Sequence, residues 1–157
     1  MKLRYNELWD AIKVRLDTAL MQQLLGGLER IYLESEDYSE PEDLEGTQWH
    51  RLVIVPTTNI WAPGDSMMGP TRPVAFMVRA EGSDFIRPGY NPAIPLDAIQ
   101  DEVENRLVGW TPEVQPVRIK LIVPIYLFAE RQPLPLWDDD RGLHFNSAQY
   151  RTEINKT

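Results

Sequence analysis

Apolar positions near the N-terminus recur every three or four residues. They are Leu8, Ile12, Leu16, Ala19, Leu20 and Leu24. Since an α-helix has about 3.6 residues per turn, this spacing aligns the apolar side chains along one side and predicts a helix over residues 8–24. Gly26 and Gly27 follow, and glycine readily adopts the left-handed conformation in which many helices end. The pattern therefore predicts one amphipathic helix that stops at this glycine pair.

A second helix is predicted over residues 96–107. Its apolar positions are Leu96, Ile99, Val103 and Leu107. Pro95 suits the first turn of a helix, where its missing N–H costs nothing, and Gly109 suits the exit.

Five runs have the β-branched and aromatic composition, or the alternation, that is typical of strands. They cover residues 30–33, 51–55, 74–78, 117–128 and 143–154. Pro124 interrupts the longest run and predicts a bulge or an edge position, because proline donates no hydrogen bond to a neighbouring strand. Long Pro/Gly-rich loops are predicted at 57–73 and 82–95.

Helices and strands do not alternate along the chain, so a βαβ winding is not indicated. We expect a single α+β domain over residues 1–157, in which two α-helices pack on a largely antiparallel sheet. With 157 residues, of which 43% are hydrophobic, the chain can form a core without disulfides or structural metal. The longest apolar run, at 121–128, is far shorter than the ~20 residues of a membrane-spanning helix.

Acidic residues outnumber basic residues by 24 to 16, and the net charge is -8. Such a charge disfavours tight binding to nucleic acid. A dense acidic segment contains no Lys or Arg and comprises Glu34, Glu36, Asp37, Glu40, Glu42, Asp43 and Glu45. Two interpretations are open: a solubilising loop, or an anionic surface held near a passing polyanion.

Catalytic and ligand-binding patterns are scarce. The chain has no cysteine, which excludes thiol nucleophiles and zinc–thiolate sites. Asp138, Asp139 and Asp140 lack the ligand spacing of a calcium loop, and no serine stands in a G-x-S-x-G turn. We therefore expect a protein that is not an enzyme and that binds no metal or cofactor. One alternative stays open: a small hydrolase or ligand-binding domain that uses His50 or His144 with nearby carboxylates.

The order of the elements resembles the tail terminator (tail completion) proteins of long-tailed bacteriophages. The resemblance covers nearly the full chain and rests on element order, length and apolar pattern. It is carried by the helix ending at Leu24-Leu25-Gly26-Gly27, the strands Arg30-Ile31-Tyr32, Leu52-Val53-Ile54-Val55-Pro56 and Phe76-Met77-Val78, the helix closed by Gly109, and the hairpin through Trp137-Asp138-Asp139-Asp140.

This resemblance implies a virion protein, assembled in the host cytoplasm, that forms a hexameric ring on the head-proximal end of the tail tube. It stops tube polymerisation and presents a docking surface for the head–tail connector. The implied partners are copies of itself, the tail tube protein and the connector protein. DNA passes through the lumen without tight binding, and no membrane is involved. Related roles stay open: a neck or head–tail connector protein, or a tail tube subunit.

The resemblance also suggests where surfaces meet. The acidic segment from Glu34 to Glu45 is a candidate lining of the lumen, where it would repel the DNA duplex. Closing a ring requires two different faces of each subunit to meet. Candidate subunit contacts are Trp61, Met67 and Met68, of types enriched in protein interfaces, with Arg118 and Lys120 on the longest predicted strand.

Overall fold

The computed structural model describes residues 2–25, 30–34, 50–57, 71–83, 93–111, 121–132, 134–138 and 143–155. Within them lie three helices: α1 (Lys2–Leu16), α2 (Ala19–Leu24) and α3 (Ala93–Leu107). The six strands are β1 (Ile31–Leu33), β2 (His50–Pro56), β3 (Thr71–Ser83), β4 (Leu121–Ala129), β5 (Leu136–Asp138) and β6 (Leu143–Asn155). The predicted α+β class is confirmed. None of the described helices has both the length and the apolar composition needed to cross a membrane.

All six strands belong to one sheet. Its order is β1-β2-β3-β6-β4, and β5 pairs with β6 as well. β1 runs parallel to β2, whereas the other pairings are antiparallel. β3 and β6 pair along their whole length of 13 residues, from Thr71 opposite Asn155 to Ser83 opposite Leu143. The expected largely antiparallel sheet is therefore present, with β3 and β6 at its centre.

The core lies between the helices and one face of the sheet. On β3, alternate residues from Val74 to Ala80 are buried, as period-two alternation requires for a face that meets a core. Phe76 contacts Trp9 of α1 edge to face, with ring centroids 5.7 Å apart, and stacks on Tyr150 of β6 at 5.6 Å. The apolar stripe predicted for α3, at Leu96, Ile99, Val103 and Leu107, is fully buried.

The predicted single helix over 8–24 is wrong at Asp17 and Thr18, where the chain leaves the helix. Thr18 is extended (φ -109°, ψ 163°), and its hydroxyl accepts a hydrogen bond from the Met21 N–H at 3.1 Å. This N-cap begins α2 and rotates it relative to α1, so that Leu20 is exposed while Met21 is buried. The apolar stripe continues through Thr18, so apolar periodicity alone does not reveal that this threonine ends one helix and caps the next.

The exit from α3 attaches the helix to β4. Gly109 has φ +80°, a conformation that favours glycine, as its position predicts. Its N–H donates to the Ile125 carbonyl at 2.8 Å, and the Ile125 N–H donates to the Trp110 carbonyl at 3.3 Å. These two bonds connect the end of α3 to the middle of β4.

β4 and β5 lie on the same side of β6, because β3 occupies its other side throughout. We call β4, residues 130–132 and 134–135, and β5 together the outer edge. The register of β4 shifts between Val123 and Tyr126, around Pro124, which confirms the predicted irregular edge position. Between the two strands, the Gln132 side chain accepts from the Ser147 N–H at 3.3 Å and takes the place of a strand partner.

The other face of the sheet carries a buried charge network. Glu81 is fully buried, and its carboxylate accepts from the Arg51 Nε at 2.6 Å and from the Arg79 Nε at 2.7 Å. Arg51 stands opposite Glu81 in the register of β2 and β3. One carboxylate thus accepts from two guanidinium groups, and the attraction of opposite charges offsets part of the desolvation cost of the three side chains.

His50 is buried at the start of β2. Burial, and secondarily the positive charge of Arg30, lowers its pKa to about 4. His50 is therefore neutral at pH 7. Both histidines of the chain stand opposite Gly82 of β3, His50 from β2 and His144 from β6.

Replacing Glu81 with Gln is expected to lower the free energy of unfolding by about 3–5 kcal/mol, because it leaves the buried Arg51 guanidinium without its carboxylate. Chemical denaturation monitored by circular dichroism measures the change. Asp10→Asn is the control, since Asp10 is exposed on α1 and its loss should alter stability by no more than ~0.5 kcal/mol. A loss below about 1 kcal/mol for Glu81→Gln would contradict the structural importance of the network.

The free energy of unfolding is expected to fall as the pH decreases from 6.5, the ordinary pKa of histidine, to about 4, the pKa of His50 in the folded chain. In that window the unfolded chain binds a proton that the folded chain excludes, so acid favours unfolding, by up to about 3 kcal/mol in total. Denaturation at a series of pH values should show a smaller decrease for His50→Gln than for the wild type. Identical pH profiles for His50→Gln and the wild type would refute the assignment.

Candidate functional site

A groove of about 400 Å³ opens along α3 on the side that faces β4 and β6. The α-helical repeat places Asp97, Asp101 and Glu104 on one flank of α3, next to its buried apolar stripe. These three carboxylates form one wall of the groove. We call this cavity the α3 groove.

The sheet supplies the rest of the α3 groove. Its remaining lining residues are Leu127 of β4, Ala148 and Tyr150 of β6, and Glu130, Arg131 and Gln132 just after β4. The chain leaves β4 at this point, and the Arg131 side chain contacts Asp97 and Asp101 of α3, whereas the Gln132 side chain bonds to β6. With four carboxylates and one guanidinium among its lining residues, the groove has a formal charge of -3 at pH 7.

Arg131 joins the outer edge to α3. Its Nη2 lies 2.7 Å from Asp101 Oδ1, and its Nε lies 3.2 Å from Asp97 Oδ1. Burial by itself lowers the pKa of Arg131, but the hydrogen bonds and charges of Asp101 and Asp97 raise it overall. Because all three side chains are partly exposed, each ion pair adds no more than about 0.2–1 kcal/mol. Arg131 therefore orients two carboxylates of the groove more than it stabilises the fold.

Tyr150 lies at the base of the α3 groove. Only 1% of its surface is exposed. Burial, together with the nearby charge of Glu104, raises the pKa of its hydroxyl well above the usual value, against the opposing effect of Arg131. The phenol thus stays neutral across the biological pH range and can both donate and accept a hydrogen bond.

The lining residues favour binding of a cation over catalysis. Among the described residues, no group of three or more His, Cys, Asp or Glu side chains is placed to hold a metal ion. The negative charge of the groove repels phosphate and carboxylate ligands, whereas ammonium and guanidinium groups are attracted. The geometry provides carboxylates and a phenol, which are acceptors for such donors.

Beside the groove, the outer edge exposes a set of large apolar side chains. They are Tyr126, Phe128, Leu134, Leu136 and Trp137. Arg151 lies over the Phe128 ring, with its guanidinium carbon 3.3 Å from the ring centroid, and Trp137 packs against His144 at 4.7 Å. Aromatic side chains held in this way are typical of protein interfaces. The outer edge is thus the strongest candidate interaction surface among the described residues.

Of the acidic segment predicted as a functional surface, Glu34 lies within the described residues. It is exposed directly after β1, and its N–H donates to the Ile54 carbonyl at 3.0 Å. The other six positions lie outside the described residues: Glu36, Asp37, Glu40, Glu42, Asp43 and Glu45. Their lumen-lining role stays a prediction.

The predicted subunit contacts Trp61, Met67, Met68, Arg118 and Lys120 also lie outside the described residues. The strand β4 that follows Arg118 and Lys120 does present Tyr126 and Phe128 on its surface. His50 and His144, the residues of the alternative enzyme interpretation, lie away from the α3 groove and do not line it.

Sequence reasoning missed the α3 groove. One signal was present, because Asp97, Asp101 and Glu104 are spaced by four and three residues and therefore share a helix flank. The contribution of Arg131 and Tyr150 depends on the sheet order, which places β4 beside β6, and no local pattern encodes that order.

Comparisons with known proteins support the fold. No protein-family model matches the chain, and no curated protein matches it. Eight chains of known structure do match. One of them belongs to a structure described as "Virion of native gene transfer agent (GTA) particle", with 14% sequence identity, a TM-score of 0.58, and coverage of 93% of this chain and 92% of that chain. At this identity the likeness establishes a shared fold over nearly the full length of both chains.

Proposed function

We propose that this chain is a non-enzymatic structural protein of a phage-like virion, and more specifically a tail terminator. It assembles as a ring on the head-proximal end of the tail tube, ends tube polymerisation and receives the head–tail connector. The observation that carries the proposal is the full-length likeness to a chain of a gene transfer agent virion, with 93% of this chain covered. The more specific role, that of a tail terminator, rests on the resemblance of the element order to that family.

The exposed surfaces support assembly. A closed ring uses heterologous contacts, in which one face of each subunit meets a different face of the next. The outer edge supplies one such face, with exposed apolar side chains at a border of the sheet where no further described strand pairs with β4. In the proposed ring, this edge is covered by the next subunit.

The charge of the chain supports passage of DNA without adhesion. The net charge is -8, and DNA carries one negative charge per ~1.7 Å of its axis. Copies arranged around a lumen therefore repel the duplex, provided that acidic residues face inward. We assign this position to the segment from Glu34 to Glu45.

The hydrolase interpretation receives less support. His50 is buried and neutral at pH 7, which separates it from solvent and substrate and removes it as a proton donor. Alanine replacement of both His50 and His144 would abolish a histidine-dependent hydrolysis. Neither histidine lines the α3 groove.

The purified protein is expected to form discrete rings in negative-stain images and a single oligomeric mass in native mass spectrometry. The double variant Leu134→Asp/Leu136→Asp should shift the population to monomers, because it places two charges on the outer edge. Val14→Asp is the matched control, since Val14 on α1 and Leu134 are both 73% exposed. A strict monomer at high concentration would contradict the proposed ring. Intact rings in the double variant would show that the outer edge does not form the contact between subunits.

Self-assembly also separates the related virion roles. A tail tube subunit should polymerise into long cylinders when concentrated, whereas a terminator should stop at one ring. Adding the ring to a polymerising tail tube protein is expected to shorten the tubes and to leave the ring at one end in electron micrographs. Rings that bind a connector but leave tube length unchanged would favour a neck protein.

A further inference from the structure

We propose that the α3 groove is a receiving site for a basic side chain of a neighbouring protein chain, an Arg or Lys flanked by apolar residues. The juxtaposition that carries this proposal is a pair of carboxylates, Glu104 and Glu130, that have no ion-pair partner among the described residues and line the groove with the buried Tyr150 side chain, beside the apolar outer edge. The proposal goes beyond the virion role and does not depend on ring formation.

The first observation is the distribution of ion pairs inside the groove. Arg131 occupies Asp97 and Asp101, with contacts of 3.2 and 2.7 Å. Within the described part of the chain, no cation pairs with Glu104 or Glu130. The groove therefore keeps two carboxylates for a further positive group, which matches the bidentate preference of a guanidinium or the point charge of an ammonium.

The second observation is the Tyr150 hydroxyl. Its side chain is 99% buried, lines the groove, and has no hydrogen-bond partner among the described residues. The hydroxyl of a tyrosine whose ring is buried usually has such a partner, and Tyr150 lines the groove from which one can enter. An incoming N–H donor satisfies the phenol oxygen, while the hydroxyl proton can turn towards Glu104.

The third observation is the apolar surface around these polar groups. Leu127 and Ala148 line the same groove and can pack against the aliphatic part of a Lys or Arg side chain. Leu134 and Leu136 are exposed on the adjoining outer edge, where they can contact the residues that flank the basic one. This apolar border favours a protein segment over a small free cation such as a polyamine, which would leave the border uncovered.

The test uses short probes and the full chain. Acetyl-Leu-Arg-Leu-amide is titrated into the protein with methyl-labelled Leu and Ala, and the NMR shifts of Leu127 and Ala148 are followed. We expect saturable shifts at these two methyl positions, and binding at least about tenfold weaker for the matching Leu-Gln-Leu peptide. Spermidine should bind more weakly than the arginine peptide.

The variant Glu104→Gln/Glu130→Gln should weaken binding of the arginine peptide by about tenfold or more, and Tyr150→Phe by several-fold, with the remaining NMR spectrum unchanged. The matched control is Asp10→Asn/Asp17→Asn, which removes the same charge from exposed positions of α1 and its end. It should retain the affinity of the wild type.

Three results would each overturn the proposal. They are an absence of saturable shifts at Leu127 and Ala148, an equal loss of affinity in the α1 control, and tighter binding of spermidine than of the peptide, which would assign the groove to a free polyamine. A monomeric protein that binds the arginine peptide as expected would support the groove and contradict the ring, so the two proposals fail separately.

Discussion

The pairing of β3 with β6 is the interaction on which the rest of the structure depends. These two strands pair along 13 residues each, and every other strand attaches to one of them directly or through β2. Their shared inner face supplies Phe76 and Tyr150 to the core, against which α1 and α3 pack. Tyr150 also forms the base of the α3 groove. Core and candidate site therefore share one pair of strands.

Much of the fold could be predicted from apolar patterns, because α3 and the long strands have unbroken periodicity and glycine or proline at their ends. The break at Thr18 was missed because one side-chain hydrogen bond interrupts an otherwise continuous stripe. The three-residue β5 is held by its pairing with β6, and its own sequence indicates only a turn. The ion pair between Arg131 and Asp97 spans 34 positions, and only the sheet order brings the two residues together.

Ion pairs of similar chemistry play opposite parts in this molecule. Glu81 is buried between Arg51 and Arg79. Its loss lowers the free energy of unfolding, because buried positive charge loses this carboxylate partner. Arg131 contacts Asp97 and Asp101 near solvent, where screening leaves little net stabilisation. The buried network therefore stabilises the sheet. The exposed ion pairs of Arg131 contribute little free energy, so their carboxylates can bind another cation with little loss of stability.

The outer edge and the α3 groove constrain one another in any assembly. Leu134 and Leu136 follow Glu130 closely along the chain, so a neighbour that covers both leucines also comes near the Glu130 carboxylate. Burying a carboxylate without a cation is costly, so apolar contact alone does not suffice at this edge. Copies with a net charge of -8 also repel one another once their charged surfaces come within the ~8 Å screening length of physiological salt. A stable contact must therefore combine short-range apolar packing with a positive group placed at the groove, which makes the choice of partner selective.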